Sequence, residues 1–248
     1  YKRALYTFLM ETKQKMKLLW QQIPSPLVSE LLCSSKDFDG IVLDLEHGVF
    51  SNESLFNCIQ VIKLSRKLCL VRLADFNKTL LRYSLDSGAD GIIFATVEEY
   101  SYAKEIFEQC KYPKFGGKRG VGLVRENFWG EKELQNKTPI VIVQIETKRG
   151  VENIEEIAKI DFDYFLIGPY DLSSSIGDAG NFESPQFKLL IQRIQDVVGK
   201  EKTGYHIVKD VEHQLHKFKD ISLLAVSMDT LMILDNLKKL DELIKETD

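Results

Sequence analysis

The 248-residue sequence has only four cysteines, and their spacing argues against a cysteine-based fold. Cys33, Cys58, Cys69 and Cys110 are scattered, and no two of them form a Cys-x-x-Cys pair. Three of the four lie in apolar runs typical of helices or strands, which predicts buried free thiols. Neither a disulfide framework nor a zinc knuckle is expected.

Long hydrophobic runs and blocks of one charge are also absent. No apolar run approaches 18 residues, the length that would suggest a transmembrane helix, and the first residues lack the features of a signal peptide. The 33 basic residues oppose 37 acidic ones, and no basic cluster suggests nucleic-acid binding. We therefore expect a cytoplasmic protein that binds neither nucleic acid nor membrane.

Apolar residues make up 44% of the chain, which is typical of a soluble globular protein, and no segment resembles a linker. An acidic turn residue repeatedly precedes a short apolar run. Including these runs, the sequence predicts eight strands, at residues 15–21, 37–44, 68–73, 88–95, 139–146, 161–168, 203–208 and 221–227. Helical periods follow, for example at residues 51–64, 78–87, 97–110 and 150–160.

Strands that alternate with helices predict parallel βα units, and eight such units are typical of a TIM barrel. We therefore predict a single (β/α)8 TIM barrel domain over residues 1–248. The competing fold is a doubly wound open sheet, which normally has a glycine-rich turn after its first strand. The sequence after Trp20 has no such turn.

Polar residues occur where two neighbouring predicted strands end. In residues 139–146, Gln144 and Glu146 share a face with apolar residues, so that face becomes polar only at its carboxyl end. The next strand ends before Asp171, which is either a helix cap or a cation ligand. In a barrel, Glu146 and Asp171 would converge, and two carboxylates completed by water suit Mg²⁺ or Mn²⁺.

Two further residues stand out near strand ends. His47 follows the second strand among acids, which would favour its protonated form and could orient a general base. Arg72 lies within an apolar strand and needs an anionic partner, either a structural acid or a bound carboxylate. His206, also in a strand, could belong either to the core or to the mouth of the barrel.

Six motifs in order resemble the metal-dependent (class II) 2-oxo-acid aldolases, the family typified by 4-hydroxy-2-oxoheptanedioate aldolase and more distantly related to citrate lyase β-subunits. The resemblance covers about residues 20–229. The motifs are Asp44-Leu-Glu-His-Gly48, Val71-Arg72, Leu85-Asp-Ser-Gly-Ala89, Arg119-Gly-Val-Gly122, Val143-Gln-Ile-Glu-Thr147 and Ile167-Gly-Pro-Tyr-Asp-Leu-Ser173.

The resemblance implies roles for the acids and their neighbours. It implies that Glu146 and Asp171 bind a divalent cation (Mg²⁺, Mn²⁺ or Co²⁺), and that Glu46 accepts a hydrogen bond from water on that cation. Gln144 and Arg72 would contact the 2-oxo and carboxylate oxygens of the substrate. His47 resembles the acid/base residue of the family, with Asp44 or Asp86 as its orienting partner.

Other segments carry further implications. Trp20 matches an aromatic residue at the barrel mouth. Backbone amides near Gly168–Asp171, the segment that contains Pro169, would hold the substrate carboxylate. Residues 119–122 resemble a loop that reaches a neighbouring subunit's site, in a homohexamer built as a trimer of dimers. A C-terminal helix at residues 230–244 would pack on a neighbouring subunit.

The sequence departs from the family at two places near the pocket. It has Phe94-Ala95-Thr96 where the family commonly has Val-Pro-Met, and Tyr170 where a small residue is frequent. These departures leave the identity of the aldehyde open.

The expected reaction is reversible cleavage of a 4-hydroxy-2-oxo acid to pyruvate and an aldehyde. His47 would be the base for the 4-hydroxyl, directly or through a water molecule, and the cation with Arg72 would stabilise the enolate. The other route to such an enolate is a Schiff-base lysine. It is disfavoured because Lys78 and Lys148 lie just beyond strand ends in polar surroundings.

Two alternative functions use the same fold. A CoA-thioester lyase or a citrate-synthase-like condensing enzyme would keep the enolate chemistry, but the sequence shows no basic patch for the CoA phosphates. A non-catalytic barrel serving binding or assembly would be expected to have lost the acids, the histidine or the arginine, and all are present. Fold analogy alone would not separate these functions.

Overall fold

The computed structural model describes residues 15–132 and 138–247. Eight parallel strands follow one another around a closed barrel, and β8 pairs with β1 to complete it. The predicted TIM barrel is therefore confirmed. The strands are β1 (Met16–Gln21), β2 (Gly40–Asp44), β3 (Leu68–Leu73), β4 (Gly91–Phe94), β5 (Ile140–Ile145), β6 (Tyr164–Ile167), β7 (Thr203–Ile207) and β8 (Leu223–Met228).

Helices connect the strands and cover the outside of the barrel. They are α1 (Pro26–Cys33), α2 (Asn52–Leu64), α3 (Lys78–Asp86), α4 (Tyr100–Cys110), α5 (Lys148–Glu152), α6 (Ile154–Ile157), α7 (Pro169–Ser174), α8 (Pro185–Val198), α9 (Val211–Lys217) and α10 (Asp229–Thr247). Two short 3₁₀ helices, Pro113–Phe115 and Arg125–Gly130, lie between α4 and β5. Within the described ranges, every helix is too short or too polar to span a lipid bilayer.

Alternation along each strand builds two separate cores. In β5, Ile140 and Ile142 belong to the cluster inside the barrel, whereas Val141, Val143 and Ile145 belong to the cluster under the helices. The inner cluster comprises mainly the lower side chains of the strands, so the polar inward residues are left at the carboxyl ends. The site is therefore confined to one mouth of a filled barrel.

Local sequence signals explain where several helices begin. Ser51 and Ser54 form a reciprocal capping box at the start of α2, and the Asn77 side chain accepts two backbone hydrogen bonds at the start of α3. The helix predicted at residues 150–160 is interrupted, and α5 and α6 meet at Asn153 instead. At this junction Asn153 donates a side-chain hydrogen bond to the Glu98 carbonyl, in the segment between β4 and α4.

The pairing of β1 with β8 contains a β-bulge. Leu19 lies opposite Val226 but Trp20 lies opposite Met228, so Ser227 is the extra residue. Ser227 has a positive φ of 56°, a left-handed conformation that non-glycine residues seldom adopt. Bulges of this kind redirect the backbone locally.

Two other expectations concern the cysteines and the N-terminus. All four cysteines are free and buried, as predicted. The prediction that no signal peptide is present concerns residues 1–14, which lie outside the described residues.

Candidate active site

Arg72 forms the centre of the polar groups at the barrel mouth. Its Nε and Nη2 donate hydrogen bonds of 2.9 and 2.7 Å to the two carboxylate oxygens of Asp44. Its Nη1 lies 2.6 Å from Oε2 of Glu46. Both Arg72 and Asp44 are buried, so the anionic partner that the sequence required for Arg72 is this acid pair.

Asp44 stays ionised in this environment. Burial raises its pKa, but hydrogen bonds and charge from Arg72, a hydrogen bond from Gln22 and one from the His47 backbone outweigh burial, and the pKa lies below its usual range. The structure brings Asp44 to His47 only through that backbone N–H, at 3.3 Å. The carboxylate of Asp44 orients Arg72 rather than the His47 ring.

Glu146 is a buried carboxylate whose surroundings the sequence did not reveal. Its Oε1 accepts hydrogen bonds from the backbone N–H and the hydroxyl of Thr96, at 2.7 and 2.6 Å. Its Oε2 accepts one from the Gln144 amide. Thr96 makes both contacts with a positive φ of 49°, a strained conformation for a β-branched residue.

The surroundings of Glu146 suit a cation. Burial raises its pKa, the Thr96 hydrogen bonds oppose the increase, and the negative charges of Glu46 and Asp171 add to it. Burial likewise raises the pKa of Glu46, with a contribution from Asp171. The described residues contain no group of three or more His, Cys, Asp or Glu side chains arranged to hold a metal ion. A site with two carboxylate ligands and several waters, as predicted for Glu146 and Asp171, is still compatible with this geometry.

His47 lies at the rim of the same mouth. Its side chain is 59% exposed, and Nε2 lies 4.0 Å from Oε2 of Glu46. The ring can therefore reach a ligand in the mouth, and a carboxylate lies beside it. The role of His47 as an acid/base group stays a prediction.

Trp20 is buried beneath Arg72, where an aromatic residue was expected at the mouth. The guanidinium carbon of Arg72 lies 5.0 Å from the centre of the Trp20 ring. The Trp20 ring also stacks on the ring of His206, with the two centroids 4.4 Å apart. The sequence left His206 open between core and mouth, and the structure places it in the buried wall between them.

Gly168 and Pro169 lie where β6 meets α7, next to Glu146. A Cβ atom on Gly168 would lie 2.5 Å from Glu146 Oε2 and 2.7 Å from Gln144 Nε2, so only glycine allows this approach. Asp171 follows in the first turn of α7 and is exposed. Tyr170 packs edge to face on Phe182.

The structure does not bring Asp86 to His47. Asp86 is the last residue of α3 and precedes β4, so it lies at the opposite end of the barrel from the strand ends that carry His47. It accepts a 2.8 Å hydrogen bond from Arg119, which also pairs with Glu126 at 2.6 Å. Arg119 is buried within its own chain, and only later parts of its loop, such as Val121, are exposed.

Comparisons with known proteins agree with the fold and with an enzyme of the aldolase type. The chain is 27% identical over 230 residues to 2-keto-3-deoxy-L-rhamnonate aldolase of Escherichia coli strain K12, covering 88% of this chain and 85% of the relative. The protein of the same name from Shigella sonnei gives the same identity and coverage. These relatives support the prediction of a lyase of the aldolase type.

Solved structures share the fold along nearly the whole chain. An HpcH/HpaI aldolase/citrate lyase family protein from Burkholderia cenocepacia J2315 has a TM-score of 0.87 at 24% identity, covering 98% of this chain and 99% of that one. Citrate synthase SbnG has a TM-score of 0.85 at 23% identity, covering 99% and 97%. The model of the HpcH/HpaI aldolase/citrate lyase family matches residues 18–221. This match confirms the resemblance seen in the motifs, and the chain belongs to the HpcH/HpaI aldolase/citrate lyase family.

Proposed function

We propose that this protein catalyses the divalent-metal-dependent, reversible aldol cleavage of a 4-hydroxy-2-oxo acid to pyruvate and an aldehyde. The observation that carries the proposal is the buried Glu146 carboxylate, which lies close enough to Glu46 and Asp171 to feel their charges, while Glu46 is ion-paired with Arg72. Family membership supports the same chemistry. The relatives named above are aldolases of a 2-keto-3-deoxy acid.

The proposed cation site consists of Glu146 and Asp171, with Glu46 nearby as an acceptor for water. Thr96 and Gln144 fix the Glu146 carboxylate, and the negative charges of Glu46 and Asp171 act on it, which favours a positive ion beside it. A divalent cation such as Mg²⁺, Mn²⁺ or Co²⁺ bound there would supply Lewis-acid polarisation of the 2-oxo group.

Arg72 is the chain's own electrophile in this reaction. Two of its nitrogens bind Asp44 and the third contacts Glu46, so the guanidinium is held rigidly before substrate arrives. Its remaining N–H groups can donate to the 2-oxo oxygen, whose negative charge grows as the enolate forms. Gln144 lies beside Glu146, where its amide can contact the same end of the substrate.

His47 completes the proton transfers. In the cleavage direction it accepts the proton of the 4-hydroxyl, directly or through one water, while the bond between C3 and C4 breaks. The bonding electrons pass to the pyruvate enolate, and C4 leaves as the aldehyde carbon. A proton delivered to C3 then completes pyruvate, so atoms and charge balance.

A Schiff-base mechanism is disfavoured by the position of the lysines. No lysine is buried within residues 15–132 and 138–247, whereas a Schiff-base lysine is usually activated by desolvation. Trapping with borohydride would detect such a lysine directly.

Assembly into a homo-oligomer, with a hexamer as the expected form, is a second part of the proposal. Helix α10 packs on β1 and β8, yet it exposes Ile233, Leu237 and Leu240 along its length. Leu123 and Trp129 in the loop after α4 are also exposed. Apolar surface of this kind is typical of protein interfaces. We expect a dilute monomer to be inactive, and an active monomer in sedimentation experiments would contradict this part.

The test of the reaction follows exchange of the pyruvate methyl protons in deuterated water, together with a screen of 4-hydroxy-2-oxo acids for pyruvate release. We expect a chelator to abolish both activities and Mg²⁺, Mn²⁺ or Co²⁺ to restore them. Glu146→Gln should lose both, while the control Glu156→Gln, on the exposed surface of α6, should retain them. Full activity in excess chelator with borohydride trapping would overturn the metal mechanism. Condensation of an acyl-CoA without cleavage of any 4-hydroxy-2-oxo acid would favour the citrate-synthase-like alternative.

A further inference from the structure

A stacked pair of aromatic side chains forms one wall of the barrel interior. Trp20 on β1 and His206 on β7 stack with ring centroids 4.4 Å apart and planes inclined by 26°. Trp20 is completely buried and His206 is 6% exposed. Because Arg72 lies over the Trp20 ring, the pair borders the place where the 2-oxo group of a substrate would bind.

Each ring carries a polar atom without a hydrogen-bond partner in the described structure. These atoms are Nε1 of Trp20 and Nε2 of His206, and both are buried. Leaving a buried polar atom unpaired costs about 1–3 kcal/mol, so such atoms usually mark a position for water or for a ligand. Two of them in one stacked pair, beside the proposed substrate position, indicate a built polar subsite.

The hydrogen-bonding character of the two atoms differs. The indole N–H of Trp20 can only donate. His206 is neutral, because burial, with a contribution from the positive charge of Arg72, lowers its pKa to about 4. The ring also bonds to the Ser227 backbone, and since Nε2 is unpartnered, that bond uses Nδ1. Nδ1 therefore carries the proton, and Nε2 is an acceptor.

The β-bulge explains how this state of His206 is fixed. Ser227 is the extra residue of β8, and its left-handed conformation departs from the regular strand beside β7. The bulge therefore places the backbone of Ser227 where the His206 ring can bond to it.

We propose that Trp20 and His206 bind a hydroxyl group on C3, the carbon next to the 2-oxo group, and that this enzyme prefers 2-oxo acids hydroxylated there. A hydroxyl is the simple substituent that both accepts from the indole N–H and donates to the imidazole Nε2. A methyl group would leave both atoms unpaired, and a carboxylate would place lone pairs against Nε2. The inference rests on the proposed function and narrows its substrate class. The keto product of the preferred substrate is then 3-hydroxypyruvate rather than pyruvate, unlike the relatives that are named for a 3-deoxy acid.

With such a substrate, the bonds and protons of the cleavage balance as they do for the proposed reaction. A 3,4-dihydroxy-2-oxo acid loses the proton of its 4-hydroxyl to His47, the bond between C3 and C4 breaks, and its electrons form the enolate of 3-hydroxypyruvate. Protonation at C3 releases 3-hydroxypyruvate and the aldehyde. The C3 hydroxyl is not consumed and acts only as a recognition group.

The experiment compares two ligands of nearly equal size, 3-hydroxypyruvate and 2-oxobutyrate, which differ by a hydroxyl in place of a methyl group on C3. Binding is followed in the presence of Mg²⁺ by the fluorescence of Trp20, in a Trp129→Phe background because Trp129 is exposed and would obscure the signal. We expect 3-hydroxypyruvate to bind about tenfold more tightly, the effect of one hydrogen bond made to otherwise unpaired groups.

Variants at position 206 decide the origin of this preference. His206→Leu should remove it or reverse it, while pyruvate binding changes by less than about threefold. His206→Gln retains a hydrogen-bond acceptor and should keep part of the preference for 3-hydroxypyruvate. It replaces the leucine variant in this test if that variant does not fold. The matched control, His216→Leu on the exposed face of α9, should behave like the parent protein.

The outcomes separate this inference from the proposed function. Pyruvate exchange that persists together with equal binding of the two ligands would overturn the inference and leave the proposed function intact. Equal binding is also what a permanently bound water at the two ring nitrogens would produce. Loss of pyruvate exchange in the parent protein would instead overturn the proposed function.

Discussion

Replacing Arg72 by lysine separates the charge of this side chain from its geometry. The guanidinium contacts Asp44 through two nitrogens and Glu46 through the third, at 2.6 to 2.9 Å. An ammonium group has a single nitrogen and cannot reproduce this fork. We expect Arg72→Lys to keep the positive charge beside Asp44 but to lose the fixed donor that points to the substrate.

The contacts of Arg72 determine how much each substitution should change the stability and the rate of proton exchange. Losing one charged hydrogen bond to a buried carboxylate should reduce the free energy of unfolding by about 2 kcal/mol. Arg72→Ala should reduce it by about 3–5 kcal/mol, because Asp44 would remain buried without a counter-charge. Removing one preorganised oxyanion donor should lower the rate of pyruvate proton exchange by about 10²–10³-fold in either variant.

The assay combines denaturant unfolding with proton exchange measured by NMR in deuterated water. Exchange needs enolisation but no aldehyde, so it reports on Arg72 independently of aldehyde specificity. Asp44→Asn is the second single variant of a double-mutant cycle with Arg72→Lys. We expect the effects of the two substitutions on the free energy of unfolding to be strongly non-additive. A folded Arg72→Lys protein that exchanges protons at the parent rate would show that Arg72 is only a structural ion-pair member.

Three further predictions concern the walls of the site. Gly168→Ala should displace Glu146 and weaken Mg²⁺ binding at least tenfold by calorimetry, because the new Cβ would lie 2.5 Å from Oε2; unchanged affinity would contradict this. Thr96→Val should lower the free energy of unfolding by about 1–2 kcal/mol, while Thr96→Ser should not. The pKa of His206 lies at about 4, below the usual 6.5. As pH falls, this histidine is therefore protonated in the unfolded chain at a higher pH than in the folded protein. This residue should therefore remove about 2 kcal/mol of stability between pH 7.5 and pH 5, and urea titrations should show no such contribution in His206→Leu.

The sequence was sufficient to predict the fold because two independent patterns indicate each strand. The strands are short apolar runs with both faces buried, and helical periods separate them, so their order alone predicted the barrel. The predicted boundaries differ from the observed ones: the sequence predicts a strand over residues 88–95, and β4 spans only Gly91–Phe94. At the break, Asn153 bonds to Glu98, 55 residues earlier, and local periodicity contains no signal for that contact.

The site was predicted where a residue's position on a strand determines its partners. Arg72 was expected to face an anion, and the structure supplies Asp44 and Glu46. Thr96 was noticed only as a departure from the family, since its bonds to Glu146 depend on a strained backbone angle that the sequence does not display. Asp86 was suggested as a partner of His47 only by the family resemblance, and within this chain it lies at the other end of the barrel.

The pairing of β1 with β8 also has a consequence for folding kinetics. Met16 pairs with Leu223, 207 residues away, whereas Gly40 and Leu68 are only 28 residues apart. Closing the longer loop costs about 2 kcal/mol more in chain entropy, so this pairing should form late. Trp20 and the bulged Ser227 come together across this pairing, and His206 takes its orientation from Ser227. The wall of the substrate pocket is therefore assembled last, and the fluorescence of Trp20 should record the final step by which the barrel closes.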